Sequence, residues 1–261
     1  MKDTLTEHIH KTHSTNKLLA SRIQSASDGE EKIHPFFALW TDFQTAGRGM
    51  GTNRWFSEEG KNLLVSFYFE PSIPASRQFL FNQYFSVATS LFISQYTDHV
   101  AIKWPNDIYI GGKKVAGILI EHTLSGDRIH HTIAGIGINL NQEWFPEEIP
   151  HPTSLFLETG NHYVVEDFLH QYQAFLRKEY PILSFDTENV NALDKKYLEH
   201  LYHLNEPHRY LIGGQEVTAT ITGVDEFGRL QLEDDEGIHH CCGTKEVVFL
   251  NLKKDHEKGN H

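Results

Sequence analysis

The chain has 261 residues, 39% of them hydrophobic, with 35 acidic against 23 basic residues and a net charge of −12. This composition supports a sizeable core and excludes wholesale disorder. A surface so negative repels phosphate backbones, and the sequence holds no basic stripe, so neither DNA nor RNA is an expected partner.

The N-terminus lacks a signal-peptide pattern. The longest uncharged run, residues 78–97, is broken by Gln78, Asn82, Gln83, Ser86, Thr89, Ser90, Ser94 and Gln95, too many polar groups for lipid. A cytoplasmic location without membrane association is expected.

In chain order, the polar segment "HIHKTHSTNKLLA" leads into a helix, with Ser14 or Thr15 as cap and Leu18, Leu19 and Ile23 on one face. "FFALW" at 36–40 is a short strand that runs into the glycine-rich "FQTAGRGMGTNRWFS", and "NLLVSFYF" at 62–69 is the next strand. Phe81, Phe85, Ala88, Phe92 and Tyr96 recur at helical spacing and mark the main core helix within 76–99. "VAIKWPNDIYIGGKKVAGILIEH" reads as a strand, an irregular WPND and a hairpin turning on Gly111 and Gly112. "LSGDR" makes another turn and "HTIAGIGINLN" another strand. Strands joined by short turns pair antiparallel, so the expected class is α+β, a mixed, largely antiparallel sheet packed with helices. Helices return at 166–180, stopped by Pro181, and near 192–204.

From 206 onward, short strands punctuated by Gly213, Gly214, Gly223, Gly228, Gly237 and Gly243 turn every eight to ten residues, the pattern of a small β-barrel. The expected division is a large domain over 1–205, a barrel over 206–255 and a tail over 256–261. Cys241 and Cys242 are adjacent, with Cα atoms about 3.8 Å apart and thiols pointing oppositely on a strand, so no disulfide is implied. The stretch "HHCC" diverges in the same way, which argues against zinc there. His8, His10, His13, His130 and His131 show no familiar ligand spacing and are expected to be solvated.

Gly47, Gly49 and Gly51 form G-x-G-x-G followed by a strand, which is neither a dinucleotide fingerprint nor a P-loop. The alternatives are a surface loop or a loop whose backbone N–H groups approach an anion, with Arg48 supplying a planar charged fork. In "IAGIGINLN", Gly135, Gly137 and Asn139 share one strand face and Ile136, Ile138 and Leu140 the other. The bare face serves either a closely packed neighbour or a ligand lying on the backbone. "KWPND" presents a cation, an amide and a carboxylate at the sheet's end, and Lys113 and Lys114 follow the Gly-Gly turn. Together these suit an apolar carboxylic acid being joined to a nucleotide. Arg48 and Lys114 would offset the repulsion between two anions and steady the charge that develops at the α-phosphate, and Asp107 would hold Mg²⁺.

The motifs "STN" at 14–16, "QTAGRGxGxNxW" at 44–55, "KWPNDI" at 103–108, "KKVAGILIE" at 113–121, "GIGINLN" at 135–141 and "PTSL" at 152–155 resemble those of biotin protein ligases, in the family's order. The resemblance implies a class II synthetase-like (biotin–lipoate ligase) fold with an SH3-like C-terminal barrel. It also implies ATP and Mg²⁺ as co-substrates, biotin as substrate and no tightly bound cofactor. Biotinyl-5′-AMP would form first, and a lysine on the apo biotin carboxyl carrier domain of a carboxylase would then take the biotin.

By position, Ser14, Thr15, Asn16 and Gln44 match biotin-contacting residues, with Gly117 and Gly135 on the same side. Arg48, Gly49 and Met50 match the loop that closes over the adenylate, and Lys114 matches the lysine that meets carboxylate and phosphate. Trp55, Lys103, Asn106 and Asn139 match the nucleotide side, with Asp107 a metal or positioning group. Met50 stands where many bacterial members carry a basic residue, which shifts phosphate clamping toward Arg48 and Arg54. "STN" at residue 14 leaves no room for the N-terminal DNA-binding domain of some bacterial members, so the form without it is expected. A lipoate or octanoate ligase and a non-catalytic biotin-sensing regulator are the alternatives, and a homodimer through edge strands stays open.

Overall fold

One central strand, buried on both faces, organises the chain. In a computed structural model, which describes residues 5–27, 32–183 and 186–250, every residue of Leu63–Phe69 is buried. Leu63, Val65, Phe67 and Phe69 face the main core, whereas Tyr68 joins Leu19, Leu39 and Ile133 in a smaller cluster on the opposite face. The tail expected at 256–261 lies outside the described residues.

The elements are β1 (Thr6–Thr12), α1 (Thr15–Ser27), β2 (Ala38–Gln44), β3 (Leu63–Phe69), α2 (Phe79–Ile93), β4 (Val100–Lys103), β5 (Asp107–Ile110), β6 (Lys113–Ser125) and β7 (Arg128–Ile138). After them come α3 (Leu155–Thr159), α4 (Val165–Glu179), α5 (Thr187–Glu199), β8 (Pro207–Ile212), β9 (Gln215–Val224), β10 (Leu230–Asp234), β11 (His239–Cys242) and β12 (Val247–Phe249). A seven-stranded sheet runs β1-β2-β3-β7-β6-β5-β4. Only β1 and β2 pair in parallel, joined by α1 as crossover; the other pairs are antiparallel. The β5–β6 hairpin turns on Gly111 and Gly112 with φ of 55° and 82°, values that favour glycine.

Helix α1 covers one sheet face, α2 and α4 the other, and α5 packs against α2. Phe81 of α2 meets Phe69 edge-on at 5.1 Å, and Tyr172 of α4 meets Phe67 at 5.7 Å. Hydrogen bonds to α5, the C-terminal segment and Asn82 of α2 hold the WPND segment at the sheet's end. Tyr197 of α5 donates to the Pro105 carbonyl at 2.7 Å, and Trp104 Nε1 donates to the Gly228 carbonyl at 3.0 Å.

The expected C-terminal barrel is not formed. Strands β8–β12 make an open five-stranded antiparallel sheet in the order β11-β10-β9-β8-β12. Closure would require β11 to pair with β12, but these outer strands have only four and three residues. The sheet instead buries Tyr210, Ile221, Leu230, Leu232 and Val247 into the same core that holds α2 and α5. Cys241 is exposed and Cys242 buried, as strand alternation requires. Among the described residues no helix is long and apolar enough to cross a membrane.

His122 on β6 lies on the main-core face beside Phe81, with Nδ1 2.7 Å from Thr132 Oγ1. Burial alone pushes its pKa down from 6.5 to about 4. The unfolded chain takes up this proton below pH 6.5, whereas the folded chain resists until about pH 4. Stability present above pH 6.5 is therefore lost across that window, by on the order of 2–3 kcal/mol. Urea midpoints at pH 7 and pH 4.5 should differ for the wild type, and the difference should shrink in His122→Gln. An unchanged difference would show that His122 is not the titrating group.

Candidate active site

The face of the sheet under α1 loses its side chains toward the ends of β6 and β7. Along β7, Ile133 packs against α1, and then Gly135 and Gly137 leave the backbone bare. Gly117 on β6 lies directly across from Gly137. A Cβ on Gly135 would sit 2.1 Å from Asn16 Oδ1, and one on Gly137 would sit 2.4 Å from the Trp55 ring. Glycine is therefore required for close approach, and the protein's own Asn16 and Trp55 occupy part of the bare strip.

The start of α1 is fixed from three sides. Gln44 Oε1 accepts from the Thr15 N–H at 2.8 Å and from the Thr15 hydroxyl at 3.2 Å. The Ser66 hydroxyl, 2.7 Å from Thr15 Oγ1, donates to Asn16 Oδ1 at 2.5 Å. Asn16 Nδ2 then donates to Glu121 Oε2 at 2.7 Å, while Arg48 Nη2 reaches Glu121 Oε1 at 2.7 Å. Ser14, Thr15 and Asn16 are buried, so every polar atom needs such a partner.

The glycine-rich loop is a tight hairpin rather than an open cradle. Arg48 bridges Arg54, the Gly49 N–H donates to the Asn53 carbonyl at 2.8 Å, and the Trp55 N–H donates to the Gly47 carbonyl at 3.1 Å. Its N–H groups are thus partly spent, and Arg48 is the group that reaches the sheet. Lys114 Nζ lies 2.6 Å from Asp107 Oδ2 and 5.7 Å from the Trp55 ring centre.

Ser14, Thr15, Asn16, Gln44, Arg48, Gly49, Met50, Trp55, Asn106, Asp107, Lys114, Gly117 and Gly135 all line one cavity of about 110 Å³. Arg54, Asn53 and Gly137 line it too. Lys103 and Asn139 do not. Lys103 Nζ lies 3.3 Å from the Tyr109 hydroxyl and 4.9 Å from the Phe249 ring centre, where burial lowers its pKa. Asn139 is buried and donates to the Thr153 carbonyl at 2.9 Å, which ties β7 to the segment before α3.

Sequence reasoning missed Ser66 and Glu121 as the anchors of Asn16 and Arg48. Ser66 is the one small polar residue in an aromatic and aliphatic strand, and Glu121 follows Gly117 at the even spacing of one strand face; both signals were readable.

Two buried donors on the cavity wall, Arg48 Nε and Trp55 Nε1, have no partner among the described residues. Such orphans are rare in folded proteins and mark a place where a ligand's acceptor atoms fit.

The model of the biotin/lipoate A/B protein ligase family matches residues 11–139, and that of the biotin protein ligase C-terminal domain matches residues 203–243. The chain belongs to the biotin protein ligase family. Within that family, it is 32% identical over 201 residues to the bifunctional ligase/repressor of Bacillus subtilis strain 168, covering 76% of this chain and 61% of that protein. It is 28% identical over 244 residues to the bifunctional ligase/repressor of Escherichia coli K12, covering 92% and 73%. The solved biotin protein ligase from Aquifex aeolicus, in complex with biotin and ATP, superposes with a TM-score of 0.71 at 27% identity, covering 94% of this chain and 98% of that one.

Substituting Gly135 by alanine should expel Asn16 from its bonds with Ser66 and Glu121, at a cost of about 1–3 kcal/mol. Gly223→Ala, with open space around it, should change stability by less than about 0.5 kcal/mol. Denaturant midpoints of the two variants check this, and equal stabilities would remove the close-approach argument.

Proposed function

We propose that the chain is an ATP-dependent biotin–protein ligase. The observation that carries this reading is the pair of unpartnered donors, Arg48 Nε and Trp55 Nε1, on a cavity that also holds the anchored Ser14–Thr15–Asn16 cluster and Lys114. The named activity of the family and the biotin and ATP bound in the Aquifex relative support it.

In the first step a carboxylate oxygen of biotin attacks the α-phosphorus of ATP. The bond from that phosphorus to the bridging oxygen breaks, and pyrophosphate leaves with the electron pair. Both reactants are anionic, so the step needs fixed cations. Lys114 and Arg48 both line the cavity, and each would turn from its carboxylate partner toward the ligand. Thr15, Asn16 and Gln44 form the polar end of the slot and suit a cyclic urea, which both donates and accepts hydrogen bonds. Trp55 offers an aromatic face to the purine, beside Asn106 and Arg54.

Mg²⁺ arrives with ATP as part of the substrate. Asp107 is the carboxylate of the cavity lining, and one carboxylate with phosphate oxygens and water is an ordinary Mg²⁺ set. In the second step the amine of a carrier-domain lysine attacks the biotinyl carbonyl and AMP leaves. We assign both steps to the domain before residue 206.

Biotin-dependent exchange of pyrophosphate into ATP should proceed, with lipoate and octanoate inert in its place. Exchange with lipoate alone would favour a lipoate ligase, and biotin binding without exchange would favour a sensor. Lys114→Ala should retain the fold, since Lys114 packs beside a turn, but should lose roughly 3 kcal/mol of transition-state stabilisation, over a hundredfold in exchange rate. A folded variant with near-normal exchange would remove Lys114 from this role.

A further inference from the structure

Strand β1 is the outer strand of the large sheet and pairs in parallel with β2, His8 opposite Trp40. Residues two apart share a strand face, so His8 and His10 stand side by side with Asp42 next to them on β2. His8 Nε2 lies 2.9 Å from Asp42 Oδ1, and His10 Nδ1 lies 2.8 Å from Asp42 Oδ2. One donor atom from each of the three residues lies within 4.8 Å of the others. The His8 ring is also held flat against the buried Trp40, with centres 4.0 Å apart. Both histidines are exposed, as expected, yet each is hydrogen-bonded to Asp42.

We propose that His8, His10 and Asp42 bind one divalent transition-metal ion, of which zinc is the best-suited example, with the remaining coordination open to water. Two imidazoles and one carboxylate form a borderline-soft donor set that suits Zn²⁺ over Mg²⁺ or Ca²⁺. The ion takes the place of the protons that the histidines share with Asp42. Metal–ligand bonds of about 2.0–2.2 Å in a tetrahedral site put the donors about 3.3 Å apart. The two hydrogen-bonded pairs need to widen only slightly, and His10, with its side chain 90% exposed, is free to rotate inward.

A second cluster of two histidines and one carboxylate, His203, Glu206 and His208, also brings its donor atoms within 4.8 Å of one another. The rings of His203 and His208 are tilted by 35° with centres 3.4 Å apart, and one nitrogen of each ring meets the same Glu206 Oε2 at 3.3 Å, so His208→Ala separates the two clusters in a titration.

The site clamps β1 to β2 just ahead of Ser14, Thr15 and Asn16. Occupancy should therefore raise the thermal midpoint of the whole chain, since an ion that binds only the folded state stabilises it.

The test is Zn²⁺ titration of the chelator-stripped full chain against a chromophoric competitor, with wild type, His10→Ala, Asp42→Asn and His208→Ala compared. One zinc equivalent should weaken by about tenfold or more in His10→Ala and Asp42→Asn and persist in His208→Ala. The zinc-dependent rise in thermal midpoint should vanish in the same two variants. His10 is exposed, so His10→Ala should keep its fold, and circular dichroism checks this. Zinc uptake that is the same in wild type and His10→Ala, or absent from wild type at micromolar ion, would overturn the proposal.

Discussion

The site depends on bare backbone at the centre of a sheet. Gly135, Gly137 and Gly117 let Asn16 and Trp55 lie directly on β6 and β7, closer than any Cβ allows. This contact sets the depth of the cavity and the height at which α1 begins. It also explains why the two faces of β7 carry such different residues. Ala134, Ile136 and Ile138 fill the main core, while the opposite face is surrendered to the cavity.

A second layer of contacts keeps the cavity walls from moving independently. Ser66, Thr15, Asn16, Glu121 and Arg48 form one hydrogen-bonded chain that crosses from β3 through α1 to β6 and the glycine-rich hairpin. On the far side, the WPND segment is held by α5 through Tyr197 and by the C-terminal sheet through the Gly228 carbonyl. The C-terminal sheet thus supports the end of the cavity that carries Asn106 and Asp107, although it lines none of it.

Much of this was legible in the sequence where periodicity or glycine spacing is strong. The aromatic repeat of α2, the Gly111–Gly112 hairpin and the split faces of β7 follow from elementary side-chain geometry. β1 was not legible: "TEHIHKT" has a single aliphatic residue, Ile9, and as an outer strand it shows no buried face. The one parallel pair of the sheet was missed with it. Barrel closure was also beyond reach, because turn spacing reports how many strands there are and not whether the first and last meet. Lys103 and Asn139 stand beside cavity residues in their motifs, yet each points into packing elsewhere. Lys103 is the last residue of β4 and Asn139 lies just past the end of β7, so each stands where the regular strand stops and alternation no longer fixes its face.

Lys114 and Arg48 are already matched to Asp107 and Glu121. An incoming anion therefore meets cations that have partners, and its arrival is an exchange of partners. When a ligand carboxylate or phosphate draws Lys114 away, Asp107 is left with an uncompensated charge beside further negative charge. A cation accompanying such a ligand would restore the balance. Any ligand that engages Lys114 frees a carboxylate on the same cavity wall, so uptake of an anion and of a cation at this place would be coupled through electrostatics.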